Sequence, residues 1–377
     1  MISSLTVNST TEATNFTVAE EVAQFCGAGL EHFHEGYKQV HGYFSLLVCV
    51  FGSVANSLNI AVLTRREMVS PTNSILTGLA VADLLVMVEY VPYALHMYLL
   101  KRPKALTYTY TWAVFVLFHS NFAQVCHTVS ILLTVMLAVW RYRAVAQPQA
   151  KQRQCGMPST LAAVASAYVL GPLLCTPHYL AFEVKEHPED NSTTLYYVRM
   201  SRLSQAAGGL LSDVNFWVYG VVVKLTPCAA LTVLSLRIIA ALVETKRRRR
   251  QLTLAGSSAA SSSAATRKQE KERQTDRTTR MLLAVLLLFL VTELPQGVLG
   301  LLSGLLGQRF FSECYVPLGE LMDALALLNS AVNFILYCTM SRQFRQTFSQ
   351  LFRPRAFDRW MPIDFTGNGH TNIITQV

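Results

Sequence analysis

WAVFVLFHSNFAQVCHTVSILLTVMLAVWRY, residues 112–142, decides the fold. From Trp112 to Val139 it contains no Asp, Glu, Lys or Arg. At about 1.5 Å per residue, a helix of this length crosses a hydrocarbon core of about 30 Å with length to spare. Its polar side chains are ordered. Ser120, Gln124, His127, Ser130 and Thr134 recur every three or four residues, so one polar face runs down an otherwise apolar rod. Within lipid such a face has to meet other helices or water. The run closes on Trp140, Arg141 and Tyr142, which set a guanidinium where the helix leaves the bilayer.

The rest of the chain fits around this span. Its 377 residues are 51% hydrophobic and 15% charged, with mean hydropathy +0.31, against about 25% charged residues in soluble domains. Apolar runs predict seven spans: His41–Leu63, Thr72–Leu100, Trp112–Val145, Pro158–Phe182, Asp213–Val243, Met281–Leu306 and Tyr315–Met340. The expected fold is an all-α membrane protein, a seven-transmembrane helix bundle with a short amphipathic eighth helix. Met1 to Glu21 lacks the basic start and apolar core of a cleavable signal peptide, so the first span is expected to direct insertion.

Two features orient the bundle. The N-glycosylation triplets at Asn8, Asn15 and Asn191 fall on one side, and most of the 32 Lys and Arg residues fall on the other. The N-terminus is therefore expected outside, in a multi-pass protein of the plasma membrane. The outer segments then carry an excess of acids and the inner ones a large excess of bases, so the mouth suits a cationic ligand. Residues 1–40 form a glycosylated outer segment, 41–340 the bundle, 341–352 an amphipathic helix with Phe344, Phe348 and Phe352 on one side, and 353–377 a cytoplasmic tail. Residues 246–276 read as a disordered loop between spans. Its Arg247–Arg250 run suits anionic lipid or a cytoplasmic partner, and its position between two spans excludes nucleic acid. The carboxylate of Val377 is a candidate for capture by a PDZ domain.

Five cysteines lie in spans and Cys155 in an inner loop, leaving Cys26 and Cys314 on the oxidising side as the expected disulfide. Charged groups within spans carry the functional information, because each needs a partner or a water-filled cavity. Asp83 is expected near Asn56, Asn329, Ser330 and Asn333, either as a polar knot or around a sodium ion. Lys224 and Glu293 sit at similar depths in the fifth and sixth spans and are expected to pair. Glu89, with Tyr90, Tyr93 and His96 on its helix, suits a ligand guanidinium, or else a local His or Tyr. Pro92, Pro172, Pro227 and Pro295 interrupt spans and allow kinks. An enzyme is not expected, since His119 and His127 have no adjacent nucleophile or metal ligand. A transporter or channel would use Asp83, Lys224 and Glu293 as a path, but the chain has neither repeat nor ring of charge.

Further motifs carry a resemblance. Leu79-Ala-Val-Ala-Asp83, Arg141-Tyr142, Pro227, Pro295 and Asn333-Phe-Ile-Leu-Tyr337 resemble the rhodopsin class of G-protein-coupled receptors. His41-Gly-Tyr, Leu63-Thr-Arg-Arg-Glu-Met, Ser70-Pro-Thr-Asn, Ala138-Val-Trp-Arg-Tyr and Thr292-Glu-Leu-Pro-Gln are similar to the arthropod myosuppressin receptors, which belong to the FMRFamide-related peptide receptors. The resemblance implies an amidated neuropeptide ending in Leu-Arg-Phe-amide and a heterotrimeric G protein of the inhibitory class. It implies no resident cofactor. Implied ligand contacts are Glu89, Tyr90, Tyr93, His96, Phe118, Phe122, Gln124, His127, Lys224, Glu293, Gln296, Glu320 and Asp323. Implied coupling residues are Trp140, Arg141, Tyr142, Pro295, Asn333 and Tyr337. The chain also departs from the class. Trp140 stands where an acid precedes the arginine, Phe334 replaces a proline, Glu293 replaces a tryptophan, and Val116 lies near the place of the usual disulfide cysteine.

Overall fold

Seven helices are long and apolar enough to cross a bilayer: Gly29–Leu63, Pro71–Leu99, Tyr110–Ala144, Met157–Ala181, Asp213–Ala241, Leu287–Leu306 and Phe311–Thr339. The computed structural model describes residues 25–146, 156–190, 193–208, 210–255, 283–284 and 287–352. Asn8, Asn15, Asn191, Cys155, the centre of the long basic loop and the tail to Val377 lie outside the described residues.

Local chemistry sets the ends of these helices. Helix α1 (Ala28–Leu63) begins well before the expected His41 and projects beyond the apolar run. α2 (Pro71–Ala94) starts at Ser70, whose hydroxyl accepts a 3.2 Å hydrogen bond from the Asn73 N–H, with Pro71 at the first turn where its missing donor is harmless. α3 (Tyr110–Ala146) is the central helix, touching α2, α4 (Met157–Leu174) and α5 (Thr226–Ala255). α6 (Leu287–Leu306) and α7 (Val316–Met340) complete the bundle. The final helix, α8 (Arg342–Phe352), is capped by Ser341. Arg345 donates to the carbonyls of Cys338 and Thr339, satisfying the open end of α7, and Gln343 reaches the Glu67 carbonyl in the loop after α1.

The prolines act through helix winding. Three stretches wind as π-helix: Leu95–Leu99 just after Pro92, Trp217–Leu225 just before Pro227, and Phe311–Tyr315 just before Pro317. A proline removes one donor from the ladder, and the neighbouring backbone takes up the change by widening a turn.

The all-α expectation needs one correction. β1 (Phe182–Asp190) and β2 (Thr193–Met200) form an antiparallel hairpin between the fourth and fifth spans, in register Val184↔Val198 and Glu186↔Tyr196. The run Thr193-Thr-Leu-Tyr-Tyr-Val is β-branched and aromatic, which is the sequence signal for a strand. The hairpin is stitched to the loop before α3 by a 2.9 Å bond from the Tyr196 N–H to the Tyr108 carbonyl, and Tyr108 packs on Tyr197. Val116 and Val198 both line one cleft there, near the place where the class pattern has a disulfide.

Cys26 and Cys314 are bonded across 288 residues of sequence. The bond fastens the start of α1 to the π-helical turn ahead of α7, and Phe25 adds an edge-to-face contact with Phe310. A protein cleaved once in the loop between α5 and α6 should therefore run as one species on a non-reducing gel and as two after reduction. Separation without reductant would show that the link does not form.

Candidate ligand-binding site

The polar stripe of α3 distributes its side chains among the surrounding helices. Ser120, Gln124, His127, Ser130 and Thr134 are all buried. Ser120 Oγ lies 3.0 Å from His178 Nε2, at the end of the fourth span. His127 meets the fifth and sixth spans, Ser130 meets α2, and at the foot of the helix Trp140 donates a 2.9 Å bond from Nε1 to Thr160 of α4. A single helix face thus sets the relative heights of four others.

At mid-bundle the structure brings Lys224 and Glu293 together, both side chains 0% exposed, in a direct Nζ–Oε2 contact. His127 Nε2 lies 2.6 Å from Lys224 Nζ and 3.0 Å from Glu293 Oε2. The ammonium donates to Oε2, while Nε2 can either accept from the ammonium or donate to Oε2 but not both, so the imidazole tautomer decides which of its two contacts is a hydrogen bond. Close helix approach makes the contact reachable. Gly220 and Gly300 face each other so that a Cβ added at either would sit 3.3 Å from the other's backbone, letting the fifth and sixth helices touch main chain to main chain. The Tyr219 ring lies 5.3 Å from the Lys224 ammonium, and Gln296 reaches Tyr315 Oη at 3.4 Å. Glu293 Oε1 is buried without a hydrogen-bond partner.

Nearer the disulfide end, Glu89 takes the local partner. Its two carboxylate oxygens lie 2.7 and 2.8 Å from His119 Nδ1 of α3, so the carboxylate does not stand open to a ligand. Tyr93 stacks on that imidazole at 3.9 Å, and Tyr90 packs edge-on to it while its hydroxyl meets His41 Nε2 at 3.1 Å. His96 is also engaged, bonding the Thr107 carbonyl at 3.0 Å and stacking on Trp112. Phe122 packs against the buried cluster around Tyr90 and Tyr93, whereas Phe118 departs from expectation. Nine residues before His127, Phe118 is turned about half a revolution away from it, stacks on Phe122 and is 49% exposed on the flank of the bundle.

The carboxylates that do gather at the mouth belong to α7. Glu320 and Asp323 are buried one turn apart. Tyr37 and His41 of α1, and Tyr90 and Tyr98 of the second span, lie within electrostatic range of Asp323. His34 Nδ1, from the projecting part of α1, lies 3.1 Å from Glu320 Oε2. His34 and His41 belong to no apolar periodic pattern that would have placed them, and His178 is marked only by its position after Pro177.

Below the triad, Asp83 accepts from Ser130 at 2.9 Å and from Asn333 at 3.1 Å. Asn56 donates to the Gly52 and Ser330 carbonyls, tying α1 to α7, whereas no hydrogen bond brings Asn329 to Asp83. At the far end the Arg141 Nε is buried without a partner, and among the described residues no carboxylate lies within ion-pair distance of it. Tyr337 is buried against Phe344 of α8, and Phe334 packs on Phe344 and Phe348. The expected proline-to-phenylalanine departure therefore supplies the seat for the last helix. Among the described residues no cluster of three or more His, Cys, Asp or Glu could hold a metal.

Comparison with known proteins places this geometry. Residues 43–355 match the family described as serpentine type 7TM GPCR chemoreceptor Srw. The chain is 33% identical over 356 residues to the G-protein coupled receptor dmsr-1 of Caenorhabditis elegans, an alignment covering 84% of this chain and 69% of that one. It is 28% identical over 333 residues to the sex peptide receptor of Drosophila melanogaster, covering 84% and 73%. Identity to sex peptide receptor-related protein 2 of Caenorhabditis elegans is 25% over 336 residues, covering 84% and 72%.

Removing one member of a fully buried ion pair leaves an uncompensated charge and costs about 3–5 kcal/mol, whereas replacing both by apolar groups is often close to neutral. Lys224→Met should therefore melt well below the wild type in detergent, and Lys224→Met combined with Glu293→Leu should recover most of that loss. Additive losses in the double variant would contradict the pairing.

Proposed function

The chain belongs to the serpentine seven-transmembrane family of G-protein-coupled receptors, and from that premise we propose that it is a cell-surface receptor for an amidated neuropeptide. The ligand is of the myosuppressin or a related FMRFamide-like class, ending in Leu-Arg-Phe-amide. The observation that carries this reading is the mouth at the disulfide end, where Glu320 and Asp323 sit among the tyrosines of α1 and the second span. Buried acids framed by aromatic faces suit a guanidinium followed by an aromatic residue. The likeness to sex peptide receptors over most of the chain agrees with a peptide ligand.

In this reading the disulfide end faces the cell exterior. The peptide enters between α1, α2 and α7, and its aromatic amide end descends towards Gln124, His127 and Gln296. Glu293 Oε1 is an acceptor that an amide N–H can satisfy and a free carboxylate cannot. Binding that favours a rearranged Lys224–Glu293–His127 triad shifts the population towards a state in which the sixth helix moves. The π-helical winding of the fifth span beside Lys224 supplies a backbone that can rewind.

At the opposite end, Trp140 is anchored to α4 and, among the described residues, Arg141 has no ion pair and its Nε no partner, so the arginine is ready to receive a G-protein helix, of the inhibitory class by resemblance. Around Asp83 the carboxylate accepts from the Ser130 hydroxyl and the Asn333 amide nitrogen, and a sodium ion there would be held by the carboxylate and the Ser130 hydroxyl oxygen, with Asn333 turning its amide oxygen inward. α8 suits the inner membrane surface, with Phe344 inward and the basic face outward.

A screen of synthetic amidated peptides on cells expressing the chain, read by G-protein dissociation, should find activation by peptides ending in Leu-Arg-Phe-amide. The free-acid forms should be inactive. Arg141→Ala should abolish dissociation while surface expression and peptide binding stay at wild-type levels. Intact signalling by Arg141→Ala would remove the assigned role, and silence towards every amidated peptide would remove the ligand class.

A further inference from the structure

The projecting start of α1 is held in one place. The Cys26–Cys314 bond and the Phe25 N–H, which donates to Glu313 Oε2 at 2.9 Å, fix it against the beginning of α7. Two turns on, this sets His34 over Glu320, whose side chain is 4% exposed while that of His34 is 21% exposed. The contact is incomplete. His34 Nδ1 donates to the Pro317 carbonyl at 3.1 Å, and Glu320 Oε2, also 3.1 Å away, has no hydrogen-bond donor of its own. A buried carboxylate oxygen without a donor binds a better donor strongly when one arrives.

We propose that His34 is a tethered occupant of a guanidinium subsite on α7, held over Glu320 until the arginine side chain of an incoming peptide displaces it. The inference deepens the peptide-receptor reading and rests on it. A guanidinium presents a planar fork of donors, where the imidazole offers a single N–H already committed to Pro317. Tyr37, on the same helix as His34 and within electrostatic range of Glu320, stacks on Phe33 at 5.8 Å, so aromatic rings border the subsite on the α1 side. Asp323 adds negative charge one turn deeper, and the exposed Lys38 adds a positive charge in range of Glu320 on the open side. Because His34 is attached to the same chain, its effective concentration at Glu320 does not vary with dilution, and every arginine-bearing ligand competes against it. The tether therefore sets a threshold for any side chain entering the subsite, and only a guanidinium recovers the charge pairing with Glu320 in return.

The test compares Phe-Leu-Arg-Phe-amide with the same peptide carrying citrulline, which keeps the shape and loses the charge. Binding of both is measured on wild type, His34→Ala, His34→Phe and Glu320→Gln. Both His34 variants should bind the arginine peptide more tightly, by a factor on the order of ten, with a smaller gain for the citrulline peptide, so that the arginine-to-citrulline ratio rises. Glu320→Gln should abolish the preference for arginine over citrulline. Citrulline-peptide binding and surface labelling report that each variant is folded. An arginine-to-citrulline ratio that stays the same in the His34 variants, or survives in Glu320→Gln, overturns the subsite while leaving the receptor reading intact. Failure of both peptides on wild type overturns the ligand class and the subsite with it.

Discussion

A carboxylate in the middle of a bilayer has to be neutralised where it sits, and Glu293 is neutralised by Lys224 with His127 beside it. This requirement organises the structure. It fixes the height of the fifth helix against the sixth and binds both to the central helix, because the three groups belong to three different spans. Gly220 and Gly300 bring the same two helices into main-chain contact near that pair. In the rhodopsin-class pattern that the sequence resembles, an aromatic residue stands at the position of Glu293. Here polar neutralisation takes over the role of aromatic packing.

The two ends of the molecule handle polar groups differently. At the mouth, histidines and carboxylates alternate, in His119 with Glu89 and His34 with Glu320, and tyrosines fill the space between them. At the foot, polar atoms are sparse and satisfied by caps, as in Ser341 and Arg345, or left waiting, as in Arg141. A histidine resting on a carboxylate that still lacks a full donor gives way to a better one, whereas a buried unsatisfied donor recognises a partner by gaining a bond.

Much of this was legible in the residues because helices in lipid obey strong periodicity. The three- and four-residue spacing of Ser120, Gln124, His127, Ser130 and Thr134 defines a buried face, and counting depth from the helix ends sets Lys224 level with Glu293. Sidedness alone singles out Cys26 and Cys314. What stayed hidden depends on rotation and on segments outside the apolar runs. Phe118 is aromatic and at the right height, but helical phase turns it from His127. Glu89 has several neighbours on its own helix, yet its partner lies on α3, a pairing between helices that one chain's spacing does not encode. The early start of α1 is polar and therefore silent in a hydropathy reading, though it carries His34. The hairpin of β1 and β2 was readable from its β-branched run, but short strands next to long spans are easily overshadowed.

The sulfur link between the first and last spans has a mechanical consequence. Helices one and seven are neighbours in the bundle, packed along their length and stitched by Asn56 to the Ser330 carbonyl, so a covalent rivet at one edge closes the barrel of helices into a ring with a locked seam. The foot of the same seam is held by the Gln343 tether to the loop after the first helix. A ring locked on one side yields on the other. The fifth and sixth helices carry no such covalent link, are joined to the rest by side-chain contacts such as Phe216 on Phe311 and His127 with Glu293, and touch each other through glycines. Any widening of the foot has to be borne on that unriveted side.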